Sequence, residues 1–482
     1  MIYNKNTKRG ILLIIIVLIL MLLIFIAIIF GSLTSVEEKS VENFINKRKA
    51  NFASESGFYY ATTRLLADMQ NGNILNVDWQ YMGEDINKNG ILDPGEDVNH
   101  NGVLDTINFP LEKNSAVSYQ YRKPESKEVI NEYYSNIVVT GEEYIIFKLK
   151  IIDEASKINI NFGNLTTRGD PANDNLRRIL NTLGAEIGVI SLGDKILSSR
   201  PENGFKQLDE LINTALSYTD FHLVKDYLTT FSFGTKLLKP QGLSGRNATN
   251  LKEGMPVYSI NEMFPKNTST EIRYLVNINT APFPVLVALL EGLSGYYLDG
   301  NNLEHFADKA LARNKYEIKD DKYTPIPIGI IRKTKPINLT QAREIAKKIL
   351  EKRHKSPFTD YYNPGGWDEF TEELFNEKII DFYQKEVLKA NFNPNVNSLL
   401  WNPDLPFRYL VDKFSLDNYS FEWTFLPPGF FTIESIGEVF TKNQILGLTY
   451  IQRYVKLWDT SFLSTQEDFA GESFQFYEMV FS

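Results

Sequence analysis

The longest unbroken apolar run of the chain covers positions 11–30. These twenty residues would form a helix of about 30 Å, which matches the hydrocarbon core of a bilayer. The run is longer than the apolar part of a cleaved secretory signal, and the residues after it, 31–33, match a small-x-small cleavage site poorly. The pattern therefore predicts a single-pass membrane anchor that is retained.

Charges on either side of the run predict its orientation. Three basic residues precede it and two acidic residues follow it, namely Lys5, Lys8, Arg9, Glu37 and Glu38. By the positive-inside rule, the N-terminus is expected in the cytoplasm and the bulk of the chain outside.

The helical pattern continues beyond the apolar run. Apolar positions recur at spacings near three, four and seven, at Val41, Phe44, Ile45, Phe52, Tyr59, Leu66 and Met69. No proline occurs before Pro94, so the pattern predicts one helix of about 60 residues and about 90 Å. The apolar stripe of its outer half is expected to lie on a globular head. A membrane helix followed by a separate stalk helix is the alternative.

Strand periodicity dominates two later regions. The runs 116–123, 135–141 and 143–153 predict an antiparallel meander, and the runs 421–440 and 444–459 return to the same period. Helical patterns and loops fill most of the chain between them. The arrangement predicts an α+β fold in which a large helical domain interrupts an antiparallel sheet.

Composition narrows the functional classes. The 482-residue chain is long enough for two or three domains, and its net charge of −9 argues against a nucleic-acid partner. It has no cysteine, so disulfides are excluded. Its four histidines are far apart in sequence and argue against a zinc or histidine-based catalytic site: His100, His222, His305 and His354.

The segment 85–96, DINKNGILDPGE, has the spacing of a calcium-binding loop. A tight loop must bring several oxygens to about 2.4 Å from one ion, so oxygen-bearing residues recur at positions 1, 3, 5, 9 and 12. The predicted ligands, with Ile91 acting through its carbonyl, are Asp85, Asn87, Asn89, Ile91, Asp93 and Glu96. Gly90 permits the turn.

A second loop of the same kind follows at once and ends in Asn108 where the first has Glu96. Its candidate ligands are Asp97, Asn99, Asn101, Val103 and Asp105. Surface turns without a metal are the alternative interpretation of both loops, which the tandem twelve-residue repeat disfavours. The flanking residues do not predict helices, so the loops are expected to staple a β-rich head with one calcium ion, or two.

The start of the chain resembles a known class of membrane signal. A short basic leader that ends in Gly10, followed by an apolar helix, is similar to the class III signal of type IV prepilins and pseudopilins. The resemblance implies that a prepilin peptidase cuts between Gly10 and Ile11 and that the helix is kept. Most members have a glutamate at the fifth mature position, which is Ile15 in this chain. A subunit without that carboxylate is therefore expected not to need to dock beneath another subunit.

Five further blocks occur in the order of one family, the minor pseudopilin K family of type II secretion systems (general secretion pathway protein K). They are IIDEASKININ (151–161), FKQLDELI (205–212), VNINTAPFPVLVALLEG (276–292), REIAKKILEKRHKSPFTD (343–360) and FFTIESIGEVF (430–440). One departure is Ser156, where the family usually has glycine. In the third block, Thr280 is expected to cap a helix that starts near Pro282.

The resemblance implies a long N-terminal helix, transmembrane and then amphipathic, packed on an antiparallel pilin-like sheet, with a helix-hairpin-helix or SAM-like domain inserted between strands. The corresponding segments are a leader (1–10), a membrane span (11–30), an amphipathic helix (31–72), a first β part (73–164, with calcium loops at 85–108), a helical insert (165–395) and a returning β part with the tail (396–482).

The resemblance also implies a non-enzymatic role. The chain would form the tip complex of the pseudopilus and help to start its assembly for protein export. Its partners would be I-like and J-like minor pseudopilins, the major pseudopilin and the prepilin peptidase, at the bacterial inner membrane with the bulk of the chain in the periplasm. No nucleic acid is expected.

Two other functions remain open on the sequence. A calcium-binding minor tip pilin or adhesin would share the leader and the loops. An anchored hydrolase has no catalytic motif to support it. Asp153, Glu154 and Lys157 suggest acid–base chemistry, but they lack a nucleophile or histidine nearby and are better explained as a structural charge pair at a strand end.

Overall fold

The structure is a computed structural model that describes residues 5–70, 119–122, 129–140, 143–162, 171–212, 214–230, 234–240, 253–257, 268–299, 316–319, 322–325, 329–355, 357–358, 374–376, 378–385, 388, 409–410, 421–441, 445–458 and 476–481. These residues form a mixed helix and sheet fold with a long apolar helix at the N-terminus. The described residues divide into two compact units: those within 1–61, 111–149 and 434–452 belong to the first, and the other described residues belong to the second.

The helices, in chain order, are α1 (Lys5–Gln70), α2 (Pro171–Ile187), α3 (Leu192–Ser199), α4 (Tyr218–Val224), α5 (Phe283–Leu290) and α6 (Leu339–Lys355). Two short 3-10 helices cover Glu154–Ser156 and Leu208–Leu211. The strands are β1 (Tyr119–Arg122), β2 (Val129–Thr140), β3 (Glu143–Asp153), β4 (Ile158–Asn159), β5 (Leu228–Thr229), β6 (Gly234–Pro240), β7 (Pro256–Val257), β8 (Thr268–Asn277), β9 (Tyr296–Asp299), β10 (Tyr316–Lys319), β11 (Lys322–Pro325), β12 (Gly329–Lys333), β13 (Tyr409–Leu410), β14 (Phe421–Thr424), β15 (Phe430–Phe440), β16 (Ile445–Trp458) and β17 (Phe476–Phe481).

The first helix, α1, is continuous over 66 residues, about 100 Å at 1.5 Å per residue. The prediction of one unbroken helix is confirmed, and the alternative of two separate helices is wrong. Its N-terminal part is long and apolar enough to cross a membrane.

The predicted meander is also confirmed. β1 pairs with β2, and β2 pairs with β3, both antiparallel. Among the described strands, the sheet contains six in the order β1-β2-β3-β15-β16-β17, and β16 pairs antiparallel with β17. The predicted return to strand structure late in the chain therefore completes the sheet that begins near residue 119.

In the first unit, α1 packs on β15 and β16 through small residues. A Cβ atom added to Gly437 would lie 1.9 Å from the carbonyl oxygen of Ala50 and 2.6 Å from the amide nitrogen of Ser54. Gly447 meets the backbone of Asn46 in the same way, at 2.6 Å from its oxygen. Glycine lacks a Cβ, and this lets the helix backbone approach the strands directly. We call this contact the glycine seat.

Most of the apolar stripe predicted to face the head does not do so, although Leu66 and Met69 at its far end are partly buried. Val41, Phe44, Ile45, Phe52 and Tyr59 are between 46% and 67% exposed. The seated side carries Asn46, Ala50, Ala53, Ser54, Phe58 and Ala61, all buried, together with Gly57. For these five residues the prediction is wrong, because mostly small side chains line the side of α1 that meets the sheet, whereas the five bulky residues lie on the opposite side.

The second unit contains two copies of one module, within residues 158–229 and 276–424, and this repeat is not among the predictions from the sequence. In each module, the first and last strands pair with each other in parallel: Ile158 lies opposite Leu228 in one module, and Val276 lies opposite Trp423 in the other. Two matching backbone bonds of 3.0 Å follow, from the amides of residues 160 and 278 to the carbonyls of residues 229 and 424. The closing bonds of the two modules are therefore equivalent.

An asparagine clamp recurs in both modules. The side chain of Asn161 accepts from the amide of Phe205 and donates to its carbonyl, both at 2.8 Å. The side chain of Asn279 makes the same pair of bonds to Phe358, at 2.8 and 2.7 Å, and also donates to the carbonyl of Phe425 at 2.9 Å. Each clamp fixes the strand end of a module to the loop that follows its second helix.

An arginine recurs five residues before each clamped phenylalanine. Arg200 donates to the carbonyl of Phe162 at 2.7 Å, and Arg353 donates to those of Ile278 and Ala281 at 2.9 and 2.7 Å. Burial lowers the pKa of Arg353 to about 10, so its guanidinium stays charged at neutral pH. The helices that carry these arginines share the sequence pattern LGDKILSSR (192–200) and IAKKILEKR (345–353).

The described part of 165–395, predicted to be a helical insert, contains strands as well as helices. β6 pairs with β8, and β8 pairs in parallel with β14. β9, β12, β7 and β13 form a four-stranded sheet, and β10 pairs with β11. The core of the second unit lies around the helices α2, α5 and α6, whose apolar residues are buried.

Candidate functional site

The predicted calcium loops lie outside the described residues. This applies to Asp85, Asn87, Asn89, Ile91, Asp93, Glu96, Asp97, Asn99, Asn101, Val103, Asp105 and Asn108. Within the described residues, no cluster of three or more His, Asp or Glu forms a potential metal site. The calcium loops remain a prediction.

The predicted cleavage point and the missing-glutamate position both lie within α1. The backbone is helical through Gly10 and Ile11. Ile15 is on the same helix and is half exposed. An apolar side chain at position 15 carries no charge to be compensated in a membrane, which a glutamate would require.

The exposed stripe of α1, defined as Val41, Phe44, Ile45, Phe52 and Tyr59, is the candidate interaction site of the first unit. Residues 45, 52 and 59 are seven apart, so they follow one side of the helix at about 3.6 residues per turn. Arg48 places its guanidinium carbon 5.3 Å from the centre of the Phe44 ring. The stripe lies opposite the glycine seat, and two charged residues, Arg48 and Glu55, occur between its apolar members.

Contacts with the sheet identify the side of α1 that packs on the rest of the first unit. Gly57 would place a Cβ 2.4 Å from the hydroxyl of Ser435 and 2.8 Å from the ring of Phe147. The ring of Tyr60 lies 5.9 Å from that of Phe147. Because one side of the helix is closed by these contacts, the exposed stripe on the opposite side is the apolar surface of its outer half that another chain could meet.

The second candidate site is polar and lies in the second unit, where β3 ends at Asp153. This carboxylate is fully buried and accepts from the amide of Ala155 at 3.0 Å, the side-chain amide of Asn277 at 2.8 Å and the hydroxyl of Thr280 at 3.0 Å. The prediction that Thr280 caps a helix is therefore wrong. The N-cap of α5 is Pro282, and the Thr280 hydroxyl donates a hydrogen bond to the Asp153 carboxylate instead.

The next residue, Glu154, is also buried and pairs with Lys157 at 2.6 Å. It accepts further bonds from the hydroxyls of Thr229 and Thr432. The predicted charge pair at the strand end is confirmed. The bonds from Thr229, Asn277 and Thr432 show that this pair of carboxylates joins three distant parts of the second unit.

Burial raises the pKa of Asp153 from 3.8 to about 7. The bonds from its three donors lower the pKa, and the neighbouring Glu154 carboxylate raises it, but burial is the largest cause. The folded chain therefore holds the Asp153 proton more tightly than the unfolded chain does. The resulting stabilisation is complete below about pH 4 and is lost as the pH rises through about 7.

This shift predicts a pH-dependent stability. We expect the free energy of unfolding to fall by about 2–3 kcal/mol between pH 5 and pH 8 through Asp153 alone. The measurement is urea unfolding of the full chain in detergent at several pH values, compared with Asp153→Asn, which does not titrate. The free energy of unfolding of the original chain should fall with pH relative to that of Asp153→Asn; two parallel curves would show that Asp153 does not titrate in this range.

Sequence reasoning missed the asparagine clamps. The signal was present: both modules have an Asn-x-Asn strand end, a helix that ends in Ile-Leu-x-x-Arg, and a phenylalanine five residues after that arginine. Comparing the chain with itself would have found the pattern. The two copies differ in length, since 118 residues separate Asn161 from Asn279 and 153 separate Arg200 from Arg353, so no fixed period marks them.

Comparison with protein-family models, with curated proteins and with solved structures finds no match to this chain.

Proposed function

We propose that the chain is a minor pseudopilin of a type II secretion system, placed at the tip of the pseudopilus, where it helps to start assembly. The observation that carries the proposal is the geometry of α1. One continuous helix joins a membrane-length apolar segment to a seated outer half, and the outer half presents an apolar stripe away from its own head.

The stripe is costly unless it is covered. Large exposed apolar surfaces on soluble domains mark sites of association. Burying one of its aromatic side chains against another helix contributes about 2 kcal/mol. A subunit that assembles side by side with others through their N-terminal helices covers such a stripe along its whole length.

Ile15 supports the tip position. In the prepilin-like proteins that this chain resembles, the carboxylate at the fifth mature position is thought to compensate a neighbouring subunit's terminal amine. Ile15 offers no such charge, so this subunit takes the place that needs no partner in that direction. Distribution of this chain along the filament shaft, detected by cross-linking, would contradict a tip position.

The first test of the proposal is the mature N-terminus. Mass spectrometry of the chain purified from its own membranes should find Ile11 as the first residue. Gly10→Leu in the same cells is the control and should leave the leader attached. A chain that starts at Met1, or after Ser32, would contradict prepilin processing and with it the proposal.

The second test is the stripe itself. Phe52→Ser should weaken incorporation into the assembled filament about 30-fold, since about 2 kcal/mol of burial is lost. Phe52 is 67% exposed in the single chain, so thermal unfolding of the chain alone should be unchanged. Incorporation is measured by co-purification with the major filament subunit.

Lys47→Ser is the matched control for this test, because Lys47 is also exposed on α1 but lies outside the stripe. It should leave incorporation at the wild-type level. Equal losses for both variants would show that the stripe is not the assembly surface.

A further inference from the structure

The glycine seat buries little apolar surface for a contact of its length. Residues 46–61 of α1 are all described, and among them Phe58 is the one large apolar side chain that is buried. The other buried residues are Asn46, Ser54, Gly57 and three alanines. Burial stabilises in proportion to apolar area, so a buried alanine contributes much less than a buried leucine or phenylalanine. The seat is therefore held by weak contacts.

The helix α5 of the second unit shows the contrast. Every residue from Pro284 to Leu290 is buried, and most of them are valine or leucine. Local stability follows the density of buried apolar contacts, so an element with few of them opens at a lower free energy than the rest of the fold. This difference puts the seated part of α1 at the low-stability end of the chain.

Two buried hydroxyl groups weaken the seat further. Ser435 of β15 faces α1, since a Cβ added to Gly57 would lie 2.4 Å from its hydroxyl oxygen. Thr449 of β16 lies two residues after Gly447, which meets the helix backbone, so positions 447 and 449 belong to the same face of the strand. Both hydroxyl oxygens are buried, and among the described residues neither has a hydrogen-bond partner.

An unpaired hydroxyl destabilises the closed seat and not an open one. In the closed seat, each oxygen is removed from water without a replacement hydrogen bond, whereas separation of helix and sheet returns it to water. Thr432, which carries the other buried hydroxyl of β15, differs because its hydroxyl donates to the Glu154 carboxylate. The hydroxyls of Ser435 and Thr449 therefore favour the open state.

We infer that the glycine seat opens and closes reversibly: residues 46–61 of α1 separate from β15 and β16 while the second unit stays folded. Opening loses the burial of Phe58 and of the alanines, and it hydrates Ser435 and Thr449. The outer half of α1 is thus joined to its sheet by a contact that can be released without unfolding the chain. This inference does not rest on the proposed function, because it concerns only contacts within the first unit.

The experiment measures the rate of thiol labelling, because the chain has no cysteine of its own. Ala53→Cys places one thiol on the seated side of α1, at a residue that is 7% exposed. Ser56→Cys, on the exposed side of the same helix, gives the rate of an accessible thiol. Ala288→Cys, fully buried in α5, reports on unfolding of the second unit. Each variant is the full chain in detergent.

We expect Ala53→Cys to be labelled more slowly than Ser56→Cys and at least about ten times faster than Ala288→Cys. Low urea concentrations should leave the rate at position 53 nearly unchanged and raise the rate at position 288, since local opening exposes little surface. Rates at 53 and 288 that rise together with urea would overturn the inference, because the seat would then open only on unfolding. A rate at 53 equal to that at 56 would also overturn it, because the seat would then not close.

Removing the unpaired hydroxyls should favour the closed seat. Ser435→Ala and Thr449→Val, each added to Ala53→Cys, should slow its labelling at least about fivefold and leave the rate of Ala288→Cys unchanged. Thr432→Val is the matched control, because this hydroxyl is also buried on β15 but is paired, and it should not slow labelling at position 53. Faster or unchanged labelling after the first two substitutions would contradict the inference, since their hydroxyls would then not favour the open state.

Discussion

Replacing Asn279 with alanine should lower the free energy of unfolding of the second unit by about 4 kcal/mol. The Asn279 side chain is buried and serves three backbone groups: the amide and the carbonyl of Phe358 and the carbonyl of Phe425. Each of these groups would lose its partner in a region closed to water, at about 1–3 kcal/mol apiece. The loss is measured by urea unfolding of the full chain in detergent.

Asn338→Ala is the control for this prediction. Asn338 also bonds the backbone through its side chain, to the amide of Gln341 at 3.0 Å, but it is exposed at a helix start. Its loss should cost about 1 kcal/mol. Equal effects at positions 279 and 338 would mean that the clamp adds nothing beyond an ordinary surface hydrogen bond.

Gly437→Val should detach α1 from its sheet. The added Cβ would lie 1.9 Å from the carbonyl oxygen of Ala50 and 2.6 Å from the amide nitrogen of Ser54. Both are backbone atoms, so no side chain can rotate away and the helix itself must move. We expect a loss of about 3 kcal/mol or more in the first unit, at the upper end for overpacking.

Hydrogen exchange of residues 46–61 is the direct measurement, because lifting the helix removes protection from its seated part. Leu448→Val is the control on β16, since Leu448 is 56% exposed and should tolerate the change. Unchanged protection in Gly437→Val, with the chain still folded, would contradict the close contact that defines the glycine seat.

The elements of the first unit were largely predictable from the sequence. Hydrophobic period and the absence of proline before Pro94 were sufficient for one continuous helix, and alternation was sufficient for the strands β1 to β3. The side of the helix that faces the sheet was not predictable in the same way. Burial depends on how closely the backbones approach, which is decided by Gly437 and Gly447, about 390 residues away in sequence.

The buried sites were predictable only in part. Local spacing identified the pair Glu154 and Lys157. The partners of Asp153 are Asn277 and Thr280, more than 120 residues away, and a single sequence does not show that such distant residues meet. Local capping rules for that reason assigned Thr280 to the wrong role. Most of the described strands within 165–395 have only two to five residues, and helical periods on either side of them dominated the pattern.

The parallel strand pairs that begin and end the two modules have a consequence for how such a chain can change. In each module, the point of entry and the point of exit lie side by side, about 4.8 Å apart across one ladder. An insertion in a loop within a module leaves this pair of adjacent strands in place. The second module, with 149 residues, contains far more chain than the first, with 72. The rest of the unit is thus joined to each module through two adjacent chain ends, whatever length of polypeptide lies between them.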